Sequence, residues 1–330
     1  MSPASGHRRG ERRVMIALGG NALAIRNEPL DATPQIRTIA RAVEALAPLS
    51  MHHQLLVAHG NGPQVGLLAL ESSADASLAA PYPLDALVAE TQGLIGYWLL
   101  AAMQNALPNR EFVAMITRTL VDAGDSAFGR PSKFVGPTYT EDTARGVAAR
   151  HGWTVERDGA FWRRVVASPV PTAVLEIAVI ERLVDAGVIV VCGGGGGIPM
   201  IRGDDGRLDG VEAVVDKDLT AALIAESVHA DFLLLLTDVA AVETDFGQPG
   251  SEPITRATPA DLRHRQFAAG SMGPKIDAVC RFVERTGGVA AIGALEDAGR
   301  ILAGEAGTIV TPTGYFRGHG GHGGHGDLGP

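Results

Sequence analysis

The sequence predicts an α/β fold in which helices cover the faces of a parallel sheet. Three observations carry that reading. Short apolar runs alternate with longer segments of helical periodicity. Four of those runs end in glycine-rich or polar turns. The chain also holds 42 glycines against 5% aromatic residues, a balance suited to tight turns and close backbone approaches.

Residues 1–13, which include the basic stretch HRRGERR, read as a flexible polar lead. Residues 14–18 (VMIAL) form a short buried strand, too brief for the core of a signal peptide. An amphipathic helix follows at 34–49, a second strand at 54–59, helical patterns at 64–78 and 85–107, and a strand at 112–121. No run is read as reaching transmembrane length. From 122 to 171 the rhythm fails, and Gly, Pro, Ser and scattered aromatics such as Phe134, Tyr139 and Trp153 replace the apolar runs. That stretch is too long for a plain loop and reads as a small inserted subdomain or lid. The alternation then resumes with helix 172–186, strand 188–192, helix 217–228 and strand 232–236. Helix 275–285, strand 289–292, helix 295–303 and strand 308–310 complete it. Residues 314–330 form a flexible Gly/His-rich tail, whose histidines are at most weak transition-metal ligands.

The net charge of −9 argues against nucleic-acid binding, which needs a basic face. It leaves phosphate ligands open, because a few lysines in a cleft can reverse the sign locally. Cys192 and Cys280 offer neither a CxxC metal site nor a disulfide framework and read as small buried side chains. A reducing, cytoplasmic location without membrane attachment is expected.

The chemistry concentrates in the turns after strands. Residues 14–18 lead into Gly19, Gly20 and Asn21; 54–59 into Gly60, Asn61 and Gly62; 188–192 into Gly193 through Gly197, including Gly195 and Gly196; and 232–236 into Thr237 and Asp238. In an open parallel sheet such turns gather at the carboxyl edge of the strands, where glycine lets backbone N–H groups approach anions. At 214–225 the chain reads VVDKDLTAALIA, with Asp216 as helix N-cap and Lys217 in the first turn. A cation there opposes the helix dipole, so the arrangement suits a phosphate site whose aspartates orient the lysine. Small residues before Lys275 make it a second phosphate lysine at a helix start. Two familiar fingerprints fail: HGNGPQVG is one residue too long for GxGxxG, and GSMGPK lacks the P-loop order. His59 ends a strand at the cleft and reads as a structural hydrogen-bonding residue, and Asp122 and Asp125 as turn residues.

Taken together, ALGGNAL (17–23), HGNGPQVG (59–66), TQGLIGYW (91–98), RRVVASPVP (163–171), CGGGGGIP (192–199), GVEAVVDKDLTAALIAE (210–226), LLTDV (235–239) and FAAGSMGPK (267–275) resemble the amino acid kinase family, and within it the carbamate kinases. Relatives acting on acetylglutamate or aspartate have KLGG where this chain has Ala17. Carbamate kinases lack that lysine and supply another from a stretch matched by PSKFVGPTY, which points to Lys133. The chain departs from the usual pattern in reading DSAF for DPAF at 125–128.

The resemblance implies an αβα sandwich with an open, mainly parallel eight-stranded sheet over 14–313, a small protruding subdomain at about 122–171, and a homodimer. It implies reversible phosphoryl transfer between ATP and carbamate, with ADP and carbamoyl phosphate as the other pair, in fermentative arginine or purine breakdown. Lys217, Lys275 and Lys133 would serve the phosphates, and Asp218 would orient the cleft lysines. Gly19, Gly20, Asn21, Gly60, Asn61, Gly62, Gly195 and Gly196 would cradle carbamoyl phosphate. Thr237, Asp238, Val239, Met272 and Gly273 would border the nucleotide. Mg²⁺ would bridge phosphate oxygens without a dedicated cage of protein ligands. Because three cations repel, the lid carrying Lys133 is expected to stand open without ligand. The competing readings are another carboxylate kinase of the family, a non-catalytic nucleotide sensor and, least favoured, a dehydrogenase.

Overall fold

The computed structural model describes residues 11–20, 23, 30–246, 248, 250–267 and 272–316. The chain opens with β1 (Arg12–Leu18), α1 (Ala32–Leu46), β2 (His53–His59), α2 (Gly62–Ala74), α3 (Leu84–Ala106) and β3 (Phe112–Ala114). There follow β4 (Arg118–Val121), β5 (Lys133–Tyr139), α4 (Glu141–His151), β6 (Thr154–Asp158), β7 (Phe161–Val166), β8 (Pro171–Val174), α5 (Ile177–Asp185) and β9 (Ile189–Val191). Next come β10 (Ile198–Arg202), β11 (Leu208–Gly210), α6 (Lys217–Ser227), β12 (Phe232–Thr237), β13 (Val242–Glu243), β14 (Pro253–Ile254) and β15 (Arg256–Ala257). The last elements are α7 (Pro259–Arg263), α8 (Met272–Thr286), β16 (Val289–Ala294), α9 (Ala298–Leu302) and β17 (Thr308–Val310).

The main sheet is eight-stranded in the order β15-β17-β16-β12-β1-β2-β9-β3. Its pairings are parallel except that of β16 with β17. Apolar runs rather than alternating patterns build its centre because both faces are covered. Met15, Ala17, Leu56, Leu233 and Leu235 face α5, α6 and α8. Their neighbours Val14, Ile16, Leu55, Val57 and Leu234 face α1, α3 and α9. Among the described residues three smaller sheets stand apart from it, β11-β10-β4-β8, β5-β7-β6 and the two-stranded β13-β14.

Three readings of the sequence are corrected. The run 112–121 is two strands in different sheets, because the chain leaves β3 at Met115 and joins β10 from Arg118. Residues 172–174, read as the start of a helix, belong to β8, which pairs antiparallel with β4, and the helix begins only at Ile177. Finally, α3, at 23 residues, is long and apolar enough by length and composition for a membrane span. In the fold it is a core helix, with Leu87, Val88, Ile95 and Leu99 buried and Gln92 hydrogen-bonded inside.

Candidate active site

The carboxyl ends of β1, β2, β9 and β12 meet along one edge. Gly19 donates its N–H to Leu236 O at 2.9 Å and Gly60 donates to Leu18 O at 3.0 Å, so the first two turns sit side by side. Asn61, 3% exposed, donates from Nδ2 to Thr91 Oγ1 at 2.9 Å. That amide lies against the turn 193–197. A Cβ on Gly195, whose φ is +64°, would overlap it, so both the left-handed backbone and the close approach require glycine. Behind the turn, Gln92 holds three backbone atoms: its Nε2 donates to Thr117 O (3.1 Å) and Gly194 O (3.0 Å), and its Oε1 accepts from Thr117 N (2.7 Å). Thr119 and Thr220 both donate to Gly196 O at 2.8 Å.

Above these turns stands the head of α6. Asp216 caps it, its Oδ1 accepting from the N–H groups of Asp218 (2.9 Å) and Leu219 (3.3 Å). Asp218 Oδ1 accepts from Lys217 Nζ at 2.6 Å, and Oδ2 from Lys275 Nζ, on α8, at 2.8 Å. Burial alone would raise the Asp218 pKa, but the two ammonium groups and their hydrogen bonds hold it well below the usual carboxylate range. The lysines respond in opposite senses. Burial, aided by the neighbouring Lys275, depresses the Lys217 pKa, whereas at Lys275 the charge and hydrogen bond of Asp218 outweigh burial and raise it. One buried carboxylate is thus divided between two cations.

Lys133, at the start of β5, reaches the same cleft, with Nζ 2.6 Å from Asp216 Oδ2. The expectation of an open lid came from repulsion among three cations; in this structure the second oxygen of Asp216 offsets that repulsion at Lys133.

A cavity of about 290 Å³ lies between these groups. Its wall includes Gly19, Gly20, Gly60, Asn61, Gly62 and Gly195 together with Lys133, Lys217, Asp218, Lys275, Thr237 and Asp238. Gly196, Val239, Met272 and Gly273 lie outside that wall. Asn21 lies outside the described residues. His59 is buried, its Nδ1 is 3.0 Å from Gly60 O, and burial pushes its pKa down to about 4, so the ring is neutral at pH 7. Asp122 and Asp125 accept local backbone N–H groups within their turns.

Sequence reading missed Asp216 as the partner of Lys133, although it identified the cap. It also missed Gln92, Thr117, Thr119 and Thr220, which hold the glycine turn. The one signal for them was the polar run Glu90-Thr91-Gln92 inside a largely apolar helix.

Among the described residues no group of three or more His, Cys, Asp or Glu side chains could hold a metal ion. The arrangement instead gathers ammonium groups and glycine turns around a cavity, chemistry suited to a polyanion.

A model of the amino acid kinase family matches residues 12–292. The chain is 50% identical over 302 residues to a carbamate kinase of Rhizobium meliloti (strain 1021), covering 91% of this chain and 93% of that one. It is 47% identical over 300 residues to a carbamate kinase of Escherichia coli (strain K12), covering 91% and 99%. Its fold matches that of a carbamate kinase from Giardia lamblia bound to AMP-PNP with a TM-score of 0.84, at 36% identity over 91% of this chain and 98% of that one.

Proposed function

The chain belongs to the amino acid kinase family, and we propose that it is a carbamate kinase, transferring a phosphoryl group reversibly between ATP and carbamate. The observation that carries this reading is the constellation of Lys217, Lys275 and Lys133 on Asp218 and Asp216, facing the glycine turns across one cavity. Identity to carbamate kinases across most of the chain supports it.

Carbamate already carries its negative oxygen at neutral pH, so it needs no general base to attack phosphorus. In the reverse direction a β-phosphate oxygen of ADP attacks the phosphorus of carbamoyl phosphate, the bond from phosphorus to the carbamoyl oxygen breaks, and carbamate leaves with that electron pair. Such a transfer asks for positioning and for positive charge around the equatorial oxygens. Lys217 and Lys275, fixed by one carboxylate, would supply it from the main body, and Lys133 from the small sheet β5-β7-β6, which we read as a lid. The backbone of Gly19, Gly20, Gly60, Gly62 and Gly195, with Asn61, would cradle carbamoyl phosphate. Thr237 and Asp238 would border the nucleotide. Mg²⁺ would enter on the nucleotide phosphates: both Asp218 oxygens already accept from lysines, and both Asp216 oxygens are engaged too. Two unpaired, buried cysteines are in keeping with a cytoplasmic setting.

The experiment is a coupled assay with Mg²⁺. ADP and carbamoyl phosphate should yield ATP, while acetylglutamate, aspartate and glutamate should accept little phosphate from ATP. Robust phosphorylation of any of these three would overturn the carbamate reading and leave the fold untouched.

A further inference from the structure

We propose that Asp216 is a positioning residue for Lys133, keeping the lid lysine at the phosphate site before any ligand arrives. The inference rests on the reading of Lys133 as a catalytic group.

The two oxygens of Asp216 have separate partners. Oδ1 caps α6, and Oδ2 accepts from Lys133 Nζ at 2.6 Å. Both oxygens of Asp218 already accept from an ammonium group, Lys217 and Lys275 taking one each. The third ammonium of the cleft meets Asp216 instead. The backbone brings the pair together. Lys133 sits opposite Val166 in the β5–β7 ladder. The next residue, Ala167, bridges Ala213 in parallel and accepts from Val214 N–H at 2.9 Å. Lys133 and Asp216 thus lie on segments tied within a few residues of each. Val135 and Val166 are buried with Val65, Ala69 and Val214 in one apolar cluster, which anchors the ladder to the body. The Asp216 side chain is 10% exposed and that of Lys133 33%, so the pair is only partly screened by water.

Three ammonium groups and two carboxylates leave this cluster with one net positive charge. Without Asp216 that excess doubles, and Lys133 loses the carboxylate it is paired with. With Asp216 in place, an incoming phosphoryl group needs only to draw Lys133 from one oxygen to another inside the same cleft.

Asp216→Asn separates the two duties of this residue. Asparagine caps a helix as well as aspartate does, but it offers Lys133 a neutral acceptor. The variant should melt at the parental temperature. Its kcat should fall about tenfold, the scale of a lost charge-assisted hydrogen bond. Its KM for carbamoyl phosphate should hold steady or fall, because the cleft has become more cationic. In a Lys133→Met background the same change should leave kcat within about twofold, since the group it positions has gone. Asp216→Ser, which also caps, serves as the second variant should the asparagine protein fold poorly. If Lys133→Met alone keeps parental kcat, the catalytic reading of Lys133 fails, and this inference with it. If Lys133→Met loses kcat but Asp216→Asn does not, Asp216 has no positioning role and the reading of Lys133 stands. Asp216 equally loses that role if Asp216→Asn costs the same factor in both backgrounds, or if it raises KM with kcat intact.

Discussion

A single carboxylate, Asp218, holds two ammonium groups within 2.8 Å, and in the proposed reaction that arrangement would set where positive charge meets the transferring group. Removing either lysine should cost transition-state stabilisation while leaving α6 and α8 packed through Ala221, Ile224, Ile276 and Val279. Lys217→Ala and Lys275→Ala should each lower kcat by about 10²–10³-fold, roughly 3–4 kcal/mol. Steady-state kinetics on the folded variants checks this, and near-parental turnover would remove that lysine from the mechanism. His59 makes a different contribution. Its folded pKa, near 4, lies below the ordinary histidine value of 6.5 because burial penalises the charged ring. Between those values the unfolded chain binds the extra proton, so stability rises with pH across this window and is lost as pH falls through it. Through His59 alone the protein should be about 2 kcal/mol less stable at pH 5 than at pH 7. Urea unfolding at both values measures the difference, and His59→Gln should shrink it. An unchanged difference in that variant would show that other groups set the slope.

At the scale of elements, the seating of β5 on α2 decides whether Lys133 reaches the cleft. A Cβ on Gly66 would overlap the Cα and N of Gly136, so the helix and the strand meet backbone to backbone. The Arg163 guanidinium holds Gly136 O from the other side, at 2.9 and 3.1 Å. Gly66→Ala should push β5 outward at an overpacking cost of about 1–3 kcal/mol. We expect kcat to fall about tenfold or more, because displacing a positioned group by about 1 Å can cost up to about 10²-fold. ADP affinity by calorimetry should hold, since Thr237, Asp238 and Lys275 lie on the main body. Parental kcat would mean that the strand seats without this contact. Elements also show where sequence reading stops. β1, β2 and β12 were legible because an unbroken apolar run ending in a polar or glycine turn has few other interpretations. The stretch around β8 was not: TAVLEIAVI fits a strand or a buried helix equally well by periodicity. Its antiparallel pairing with β4 settled the matter. The run through β3 and β4 looked continuous because nothing local marks the three residues where Gln92 captures the Thr117 backbone.

For the molecule as a whole, β3 is the outer strand at one end of the main sheet. Beside it α3 exposes Leu94 and Tyr97, one turn apart, and Ile116 follows the strand at 50% exposure. An apolar stripe along a sheet edge suits a second copy of the same chain, whose two-fold axis would pair the patch with itself. We expect a homodimer in sedimentation analysis. Leu94→Glu with Tyr97→Glu should yield monomers, because charges on an isologous face meet their own copies. A monomeric parent protein would overturn this.

Lys133 entered only through the family resemblance. By itself the sequence pointed to the α/β class, the turns that carry glycine, and Lys217, Lys275 and the aspartates flanking Lys217 as chemistry suited to phosphate. Those features are local: periodicity, capping and turn composition are each written within a dozen residues. The tertiary structure alone decided which carboxylate each lysine meets, which side chains brace the Gly193–Gly197 turn, and that Lys133 sits in the cleft. Lys133 and Asp216 are 83 residues apart, and no local pattern encodes a contact made by the packing of a separate sheet against α2 and the segment before α6.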